Sequence, residues 1–252
     1  MEWSVEKELM GKEITETLYE NGMIKTWYKD KPSGWTLVSG IWSPFYVNLR
    51  PISSFPNSQE ILKKVGTAMG TMIKEECPEV NKIVGIANAG VPISTAITLQ
   101  SGIPSCYTRK LEGVRTIERL KREIKEYGQH SLVEGDLNEG DVIGLVDDLV
   151  TKFDSKLIAE KQVEYEAEER NVSVTCKHVG VLLDREQGAA EKAKELGMSL
   201  HSIIPFKTKG LPWLKDRMSE TEYTVVTEYL ENDVKYQDEK LQKELMQMAL
   251  RA

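Results

Sequence analysis

Between residues 82 and 206, apolar stretches of strand length alternate with stretches of helical periodicity. The strand-like stretches lie at 82–87, 105–108, 142–146, 177–183 and 200–206. Apolar residues with helical spacing lie between most of them, at 91–100, 155–170 and 187–196. Such alternation predicts a parallel sheet whose strands are joined by right-handed crossovers and flanked by helices. We therefore expect an α/β fold.

The segments on either side of this region also carry structural signals. A helical pattern at 5–21, turn signals typical of a hairpin at 35–50 and a second helical pattern at 58–75 precede it. A polar, helical tail follows residue 210, and Ser219 and Glu222 have the spacing of a capping box at a helix start. We find no low-complexity linker, so we expect one integrated domain.

The most informative strand end lies at residues 141–156. An apolar run is followed by two acids, Asp147 and Asp148, and then by a turn with hydroxyls at Thr151 and Ser155. In α/β proteins, ligands bind where strands end and helices begin. A helix N-terminus there favours phosphate, and two carboxylates suit sugar hydroxyls or a magnesium ion. A phosphorylated ribose is therefore the expected ligand class.

Composition excludes several classes of protein. The net charge of −7 argues against a general nucleic-acid binder. No apolar run approaches the ~20 residues of a membrane span, so we expect no membrane partner. The three cysteines are far apart and predict neither a disulfide framework nor a metal motif, which favours a cytoplasmic location with free thiols. We expect His178 and His201, in or beside strand-like stretches, to be structural.

Four segments, taken in order, carry a family resemblance. They are SGIWSPFYVNLR at 39–50, IVGIANAGVP at 83–92, the stretch from YTRK at 107–110 to KEYGQHSLVEG at 125–135 with the acidic pair, and LDREQG at 183–188. In this order they resemble orotate phosphoribosyltransferases, which join orotate to phosphoribosyl pyrophosphate (PRPP) in pyrimidine biosynthesis. The resemblance covers roughly residues 35–206.

The resemblance implies a type I phosphoribosyltransferase-like parallel sheet flanked by helices. It implies an N-terminal hood at 1–80, a core at 81–210 and a helical C-terminal tail at 211–252. It also implies a Mg²⁺ cofactor, PRPP and orotate as substrates, and a homodimer in which a lid reaches the partner's site. Pairing by a two-fold axis is also the commonest way in which chains associate.

Residue roles follow from the same resemblance. Asp147 and Asp148 match the acids that bind the ribose hydroxyls and magnesium, and Lys110 and Lys125 match catalytic cations of the lid. The matching substrate-binding positions are Arg109 in the lid, Thr151, Lys152 and Ser155 in the phosphate turn, Ala87, Asn88, Ala89 and Gly90 in the pyrophosphate loop, Arg185 for the orotate carboxylate, and Phe45 and Tyr46 in the base pocket. A guanidinium fork suits a planar carboxylate because it donates two parallel hydrogen bonds.

Several positions depart from the family pattern. Phe153 and Asp154 stand where glycines are usual in the phosphate turn, and Asp154 places an anion beside an anion. Tyr127 replaces the usual lid histidine, and Val38 replaces a phosphate-binding lysine found in some members. The basic segment at 109–125 is also longer than in the family.

These departures leave two alternatives to an orotate enzyme. One is a phosphoribosyltransferase that acts on another base, because the altered residues change the shape and charge of the site. The other is a non-catalytic regulator that senses PRPP, with residues 109–125 as a partner-binding surface.

Overall fold

The computed structural model describes residues 2–37, 40–114, 116–127 and 131–251, without the side chains of 125–127. Within these residues the central sheet has six strands. In spatial order they are β10 (Ser199–Pro205), β9 (Thr175–Asp184), β8 (Val142–Val150), β5 (Lys82–Gly85), β6 (Ser105–Thr108) and β7 (Val133–Glu134). Neighbouring strands are parallel except β7, which pairs antiparallel with β6. The expected α/β architecture is confirmed.

Helices cover both faces of this sheet because its central strands are apolar on both faces. On one face lie α1 (Trp3–Glu20), α2 (Ser58–Glu76) and α3 (Gly90–Ser101), and on the other α5 (Asp154–Glu169) and α6 (Ala189–Glu195), with α4 (Ile117–Tyr127) against α5. Each face has its own apolar core. Met69 and Met72 of α2 belong to one core, and Ala159 and Val163 of α5 to the other.

The N-terminal segment adds two small antiparallel ribbons. The hairpin expected at 35–50 is formed by β2 (Trp35–Thr36) and β3 (Trp42–Ser43). The following strand β4 (Phe45–Val47) pairs instead with β1 (Ile24–Thr26), which the sequence did not indicate. These ribbons carry Phe45 above the carboxyl edge of the main sheet, where it contacts Arg185.

The C-terminal tail packs on this N-terminal segment. It contains α7 (Leu211–Trp213), α8 (Glu220–Glu231) and α9 (Glu239–Arg251), and the expected capping box of Ser219 and Glu222 starts α8. The buried carboxylate of Glu222 also accepts hydrogen bonds from Tyr19 and Thr26. Within the described residues, no helix combines the length and the apolar character needed to cross a membrane.

Candidate active site

Four strand ends meet at the carboxyl edge of the sheet. Ile86 N–H, just beyond β5, donates to the Val146 carbonyl of β8 at 2.8 Å, and Ala87 N–H donates to Thr108 Oγ1 of β6 at 3.1 Å. On the other side of β8, Arg185 N–H donates to the Val150 carbonyl at 3.1 Å. The sheet therefore brings the loops that follow β5, β6, β8 and β9 to one edge, where α/β proteins bind ligands.

The acidic pair lies inside strand β8 rather than after it. Asp147 pairs with Val181 of β9, and the two strands stay paired as far as Val150 and Asp184. The run of apolar residues ends at 146, but the ladder continues because β9 continues. The prediction that the strand ends at Val146 was therefore short by four residues. The acids are held by a rigid strand and not by a loop.

The two acids have different surroundings. Lys156 Nζ of α5 lies 2.8 Å from Asp147 Oδ2 and 2.6 Å from the Leu149 carbonyl, and all three groups are largely buried. Lys156 therefore neutralises Asp147. Burial, and next the negative charge of Asp147, raise the pKa of Asp148 to about 7. Asp148 is the acid whose charge a bound cation or hydroxyl donors would stabilise most.

The turn between β8 and α5 forms the wall of a cleft of about 450 Å³. The cleft is lined by Val114, Leu149, Val150, Thr151, Lys152, Asp154, Ser155, Lys156 and Ile158. No side chain caps the first turn of α5, where the N–H groups of Asp154 and Lys156 donate to the Lys152 and Phe153 carbonyls. The cleft offers two hydroxyls, a lysine and the positive end of the helix dipole to an anion.

Phe153 does not occupy this cleft. Its side chain is only 1% exposed and packs in the core beneath the turn, with Val150, Val163 and Val181. The glycine that is usual in this turn is therefore replaced by a residue that points away from the ligand side. Asp154 does line the cleft, at the start of α5, where the helix dipole favours a negative side chain.

The loop after β5 approaches β8 closely. A Cβ at Gly90 would lie 2.3 Å from the Val146 carbonyl oxygen, so only glycine fits where α3 begins. The Ala87–Asn88 peptide bond is cis, and Asn88 is exposed. The loop of residues 87–90 thus lies directly beside the acidic pair.

Arg185 is the most unusual side chain of the site. It is 8% exposed, and its guanidinium lies 4.7 Å from the centre of the Phe45 ring. Within the described chain, its buried Nε and Nη2 have no hydrogen-bond partner. Burial lowers the pKa of Arg185, although a guanidinium stays protonated at neutral pH. An unpaired buried cation is costly, so this geometry calls for an anion from outside the chain.

Phe45 and Tyr46 point to opposite faces of their strand, as neighbours in a strand do. Phe45 faces Arg185 and the buried Tyr229, whose ring centre lies 5.8 Å away. Tyr46 instead stacks on Trp35 at 5.9 Å between ring centres. The structure therefore brings Phe45, but not Tyr46, to Arg185.

The residues that the resemblance assigns to a lid are only partly described. Arg109 lies 3.5 Å from Glu134, and its carbonyl accepts a hydrogen bond from Gln162 of α5. Lys110 is exposed. Val38 and the side chains of Lys125 and Tyr127 lie outside the described residues. An amphipathic helix was expected over the basic segment at 109–125, but the described helix α4 begins only at Ile117, and its Leu120 is buried.

Sequence reasoning missed Lys156, the partner of Asp147. Lys152, which the resemblance assigns to the phosphate turn, is exposed and lines the cleft. The available signal was a lysine in the first turn of a helix that directly follows two acids.

Solved structures with the same fold are phosphoribosyltransferases. The orotate phosphoribosyltransferase of Aeropyrum pernix superposes with a TM-score of 0.59 over 81% of this chain and 97% of that chain, at 22% identity. The UMP synthase of Leishmania donovani gives a TM-score of 0.68 and 21% identity over 87% of this chain, which spans 42% of that protein. The fold is that of a type I phosphoribosyltransferase.

Relatives that are similar in sequence identify the family of phosphoribosyltransferases more closely. The orotate phosphoribosyltransferase of Methanosarcina acetivorans is 31% identical over 169 residues, which are 67% of this chain and 78% of the relative. That of Methanocaldococcus jannaschii is 31% identical over 171 residues, which are 68% of this chain and 84% of the relative. No model of a known protein family matches the chain. The chain belongs to the orotate phosphoribosyltransferase family, as a divergent member.

Proposed function

We propose that the protein transfers the phosphoribosyl group of PRPP to orotate, releasing pyrophosphate and forming orotidine 5′-phosphate. Beside membership of the family, Arg185 is the observation that carries this proposal. Its buried guanidinium has two unpartnered nitrogens at the carboxyl edge of the sheet and rests on Phe45. Orotate combines a carboxylate, which pairs with a guanidinium, with a flat ring, which packs against an aromatic face.

The reaction breaks the bond between ribose C1 and pyrophosphate and forms a bond from the same carbon to a ring nitrogen of orotate. Positive charge develops on the ribose and negative charge on the leaving pyrophosphate. Placed charges and donors therefore accelerate the reaction more than a strong nucleophile does.

Each part of the carboxyl edge then has a role. Asp147 and Asp148 accept hydrogen bonds from the 2′ and 3′ hydroxyls, and the turn from Thr151 to Ser155 binds the 5′-phosphate with its amides, hydroxyls and Lys152. The loop from Ala87 to Gly90 faces pyrophosphate. Arg109, Lys110 and Lys125 of the lid cover the leaving group and exclude water.

Mg²⁺ is the cofactor that fits these residues. The site offers carboxylate oxygens, which magnesium prefers, and the raised pKa of Asp148 supports a role for an added positive charge beside it. Asp147 is already paired with Lys156, so Asp148 is the better candidate for a metal contact. When bound, the ion supplies positive charge to the pyrophosphate oxygens.

We also propose a homodimer. The family resemblance implies a lid that reaches the neighbouring chain's site, and exposed Lys110 follows strand β6 at the same edge as the acidic pair. Supplying lid cations across an interface makes each site depend on two chains.

An acceptor screen tests the proposed reaction. Purified protein is mixed with PRPP, MgCl₂ and one base at a time from orotate, uracil, adenine and hypoxanthine, and pyrophosphate release is measured. We expect release with orotate alone, together with loss of orotate absorbance. Release only with another base would establish the alternative transferase, and PRPP binding without release under any base would establish the sensor.

A further inference from the structure

A second cluster of chemically reactive side chains lies at the opposite edge of the sheet. His178 is near the start of β9, and His201 lies on the adjacent strand β10. Cys77 is the residue at which α2 ends, and it is buried. One ligand atom from each residue lies within 4.8 Å of those of the other two. At about 3.3 Å per residue of strand, His178 is about 23 Å from Arg185 along β9, so this cluster is separate from the active site.

The two imidazoles face each other at the distance of metal ligands. His178 Nδ1 and His201 Nε2 are 3.5 Å apart. Two nitrogens on a tetrahedral zinc ion, each at about 2.0–2.1 Å from the metal, are about 3.4 Å apart. The inward nitrogens are therefore already spaced for one shared ion.

The outward nitrogens are held by carboxylates. His178 Nε2 lies 2.9 Å from Glu79 Oε1, and His201 Nδ1 lies 2.9 Å from Glu76 Oε2. Each carboxylate favours a proton on the nitrogen it contacts, which leaves a lone pair on each inward nitrogen. Histidines that bind metals are oriented by carboxylates in this way.

Two lone pairs that face each other repel, and either a shared proton or a metal ion between the two nitrogens relieves that repulsion. Glu76 also accepts hydrogen bonds from Lys7 and Trp3, which fix its carboxylate beside His201. The Cys77 thiol must lose its proton when a metal binds.

We propose that Cys77 Sγ, His178 Nδ1 and His201 Nε2 bind one divalent zinc-like ion, with water in the fourth position. A set of one sulfur and two imidazole nitrogens selects zinc rather than magnesium. The ion joins the end of α2 to β9 and β10, so its role is to stabilise the fold on the side away from catalysis. No short sequence motif predicts this site, because its three ligands come from three separate elements.

Cobalt substitution tests the site directly. The full chain is stripped of metal with a chelator and titrated with Co²⁺, followed by absorption spectroscopy. We expect one Co²⁺ per chain, with a thiolate-to-cobalt charge-transfer band and tetrahedral d–d bands that Zn²⁺ abolishes. Cys77→Ser should remove the charge-transfer band, and His178→Gln should weaken binding at least about tenfold.

The matched control is Cys176→Ser, which lies two residues before His178 but packs against the core beneath α5. It should leave the spectrum unchanged. Absence of the band in the wild-type chain, or an unchanged band in Cys77→Ser, overturns the proposal. X-ray absorption of the zinc-loaded wild-type chain requires no variant: one sulfur and two nitrogens support the site, and a shell without sulfur refutes it.

Discussion

At the scale of single residues, the site is organised by charges that the protein itself leaves uncompensated. Arg185 is buried over Phe45 with two unpaired nitrogens, and Asp148 is partly buried beside Asp147. Both arrangements cost folding free energy, and both are relieved by a ligand of the right charge. Each yields a separate prediction.

Replacing Arg185 should raise KM for orotate and leave KM for PRPP unchanged. Charge-assisted hydrogen bonds contribute about 1.5–3 kcal/mol each, so Arg185→Gln should raise KM for orotate by about 10- to 100-fold. Arg185→Lys should rescue little, because an ammonium lacks the planar fork. Initial rates at varied concentrations of each substrate check this, and an increase confined to KM for PRPP would contradict the assigned role.

Asp148 should give the enzyme an acidic limb in its pH profile. Because burial and Asp147 raise its pKa to about 7, Asp148 is largely protonated below that pH and binds hydroxyl donors or magnesium poorly. We expect kcat/KM for PRPP to fall by about tenfold per pH unit below about pH 7. In Asp148→Asn this limb should disappear and the rate should be uniformly low; a limb that persists would assign the titration to another group.

The raised pKa of Asp148 also predicts how the stability of the fold changes with pH. Relative to an unfolded aspartate near pH 3.8, the folded protein disfavours the carboxylate, so Asp148 destabilises the fold above that pH and most fully above about pH 7. Asp148→Asn should therefore raise the melting temperature more at pH 8 than at pH 5.

The sequence allowed some of these residues to be predicted and not others. Asp147 and Asp148 were predicted because they follow an apolar strand segment, and Arg185 was predicted because its segment resembles the orotate enzymes. Lys156 was missed because its contact with Asp147 depends on how the first turn of α5 lies against β8. The Cys77, His178 and His201 cluster was missed because residues from three elements meet only after folding.

At the scale of elements, the N-terminus of α5 combines two opposing effects of Asp154. The acid favours the helix through the dipole, yet it lines the cleft proposed for the 5′-phosphate. Phe153 has no such conflict, because it packs in the core. The departure from the glycine pattern therefore changes the charge of the cleft, through Asp154. It does not fill the cleft, because Phe153 lies in the core.

Asp154→Asn should separate these effects. Removing a like charge worth about 1 kcal/mol should tighten PRPP binding about fivefold, while the lost dipole interaction should lower stability by about 0.3–1 kcal/mol. Calorimetry and urea denaturation measure the two changes. Asp216→Asn, at an exposed tail position, serves as the control and should change neither. Weaker PRPP binding in Asp154→Asn would show that the acid contacts the ligand productively.

Element boundaries were least predictable where pairing, rather than hydrophobicity, extends a strand. β8 continues to Val150 because β9 pairs with it throughout, although the apolar run ends at Val146. β4 left the expected hairpin to pair with β1, and β7 is only two residues long. In each case the neighbouring strand determines where the strand ends and with which strand it pairs. The local sequence does not contain this information.

At the scale of the whole molecule, the order of strands and helices followed directly from the alternating pattern, since each crossover between parallel strands needs a helix. The tail could not be placed from sequence. Its α8 is anchored by Glu222 to Tyr19 and Thr26, and Trp27 Nε1 donates to the Leu245 carbonyl of α9 at 3.1 Å. These contacts join residues about two hundred positions apart.

The proposed homodimer predicts complementation between two inactive variants. Lys110→Ala removes a lid cation and Asp148→Asn removes a ribose-binding acid, so each homodimer should have two defective sites. If a lid serves the neighbouring chain, half of randomly mixed dimers contain one intact site, which restores about a quarter of wild-type activity. Unmixed variants processed identically are the controls. No recovery, with mixed dimers demonstrated by tagged chains, would contradict a shared site.

Titration calorimetry of PRPP with Mg²⁺, followed by orotate, tests most directly whether the carboxyl edge of the sheet is a sugar-phosphate site. For the wild-type chain we predict one PRPP per chain, binding that weakens on removal of Mg²⁺, and subsequent binding of orotate that Arg185→Gln weakens by about 10- to 100-fold. Asp148→Asn should weaken the PRPP step by at least about tenfold. PRPP binding that is absent in the wild type, or unchanged in Asp148→Asn, would contradict the account.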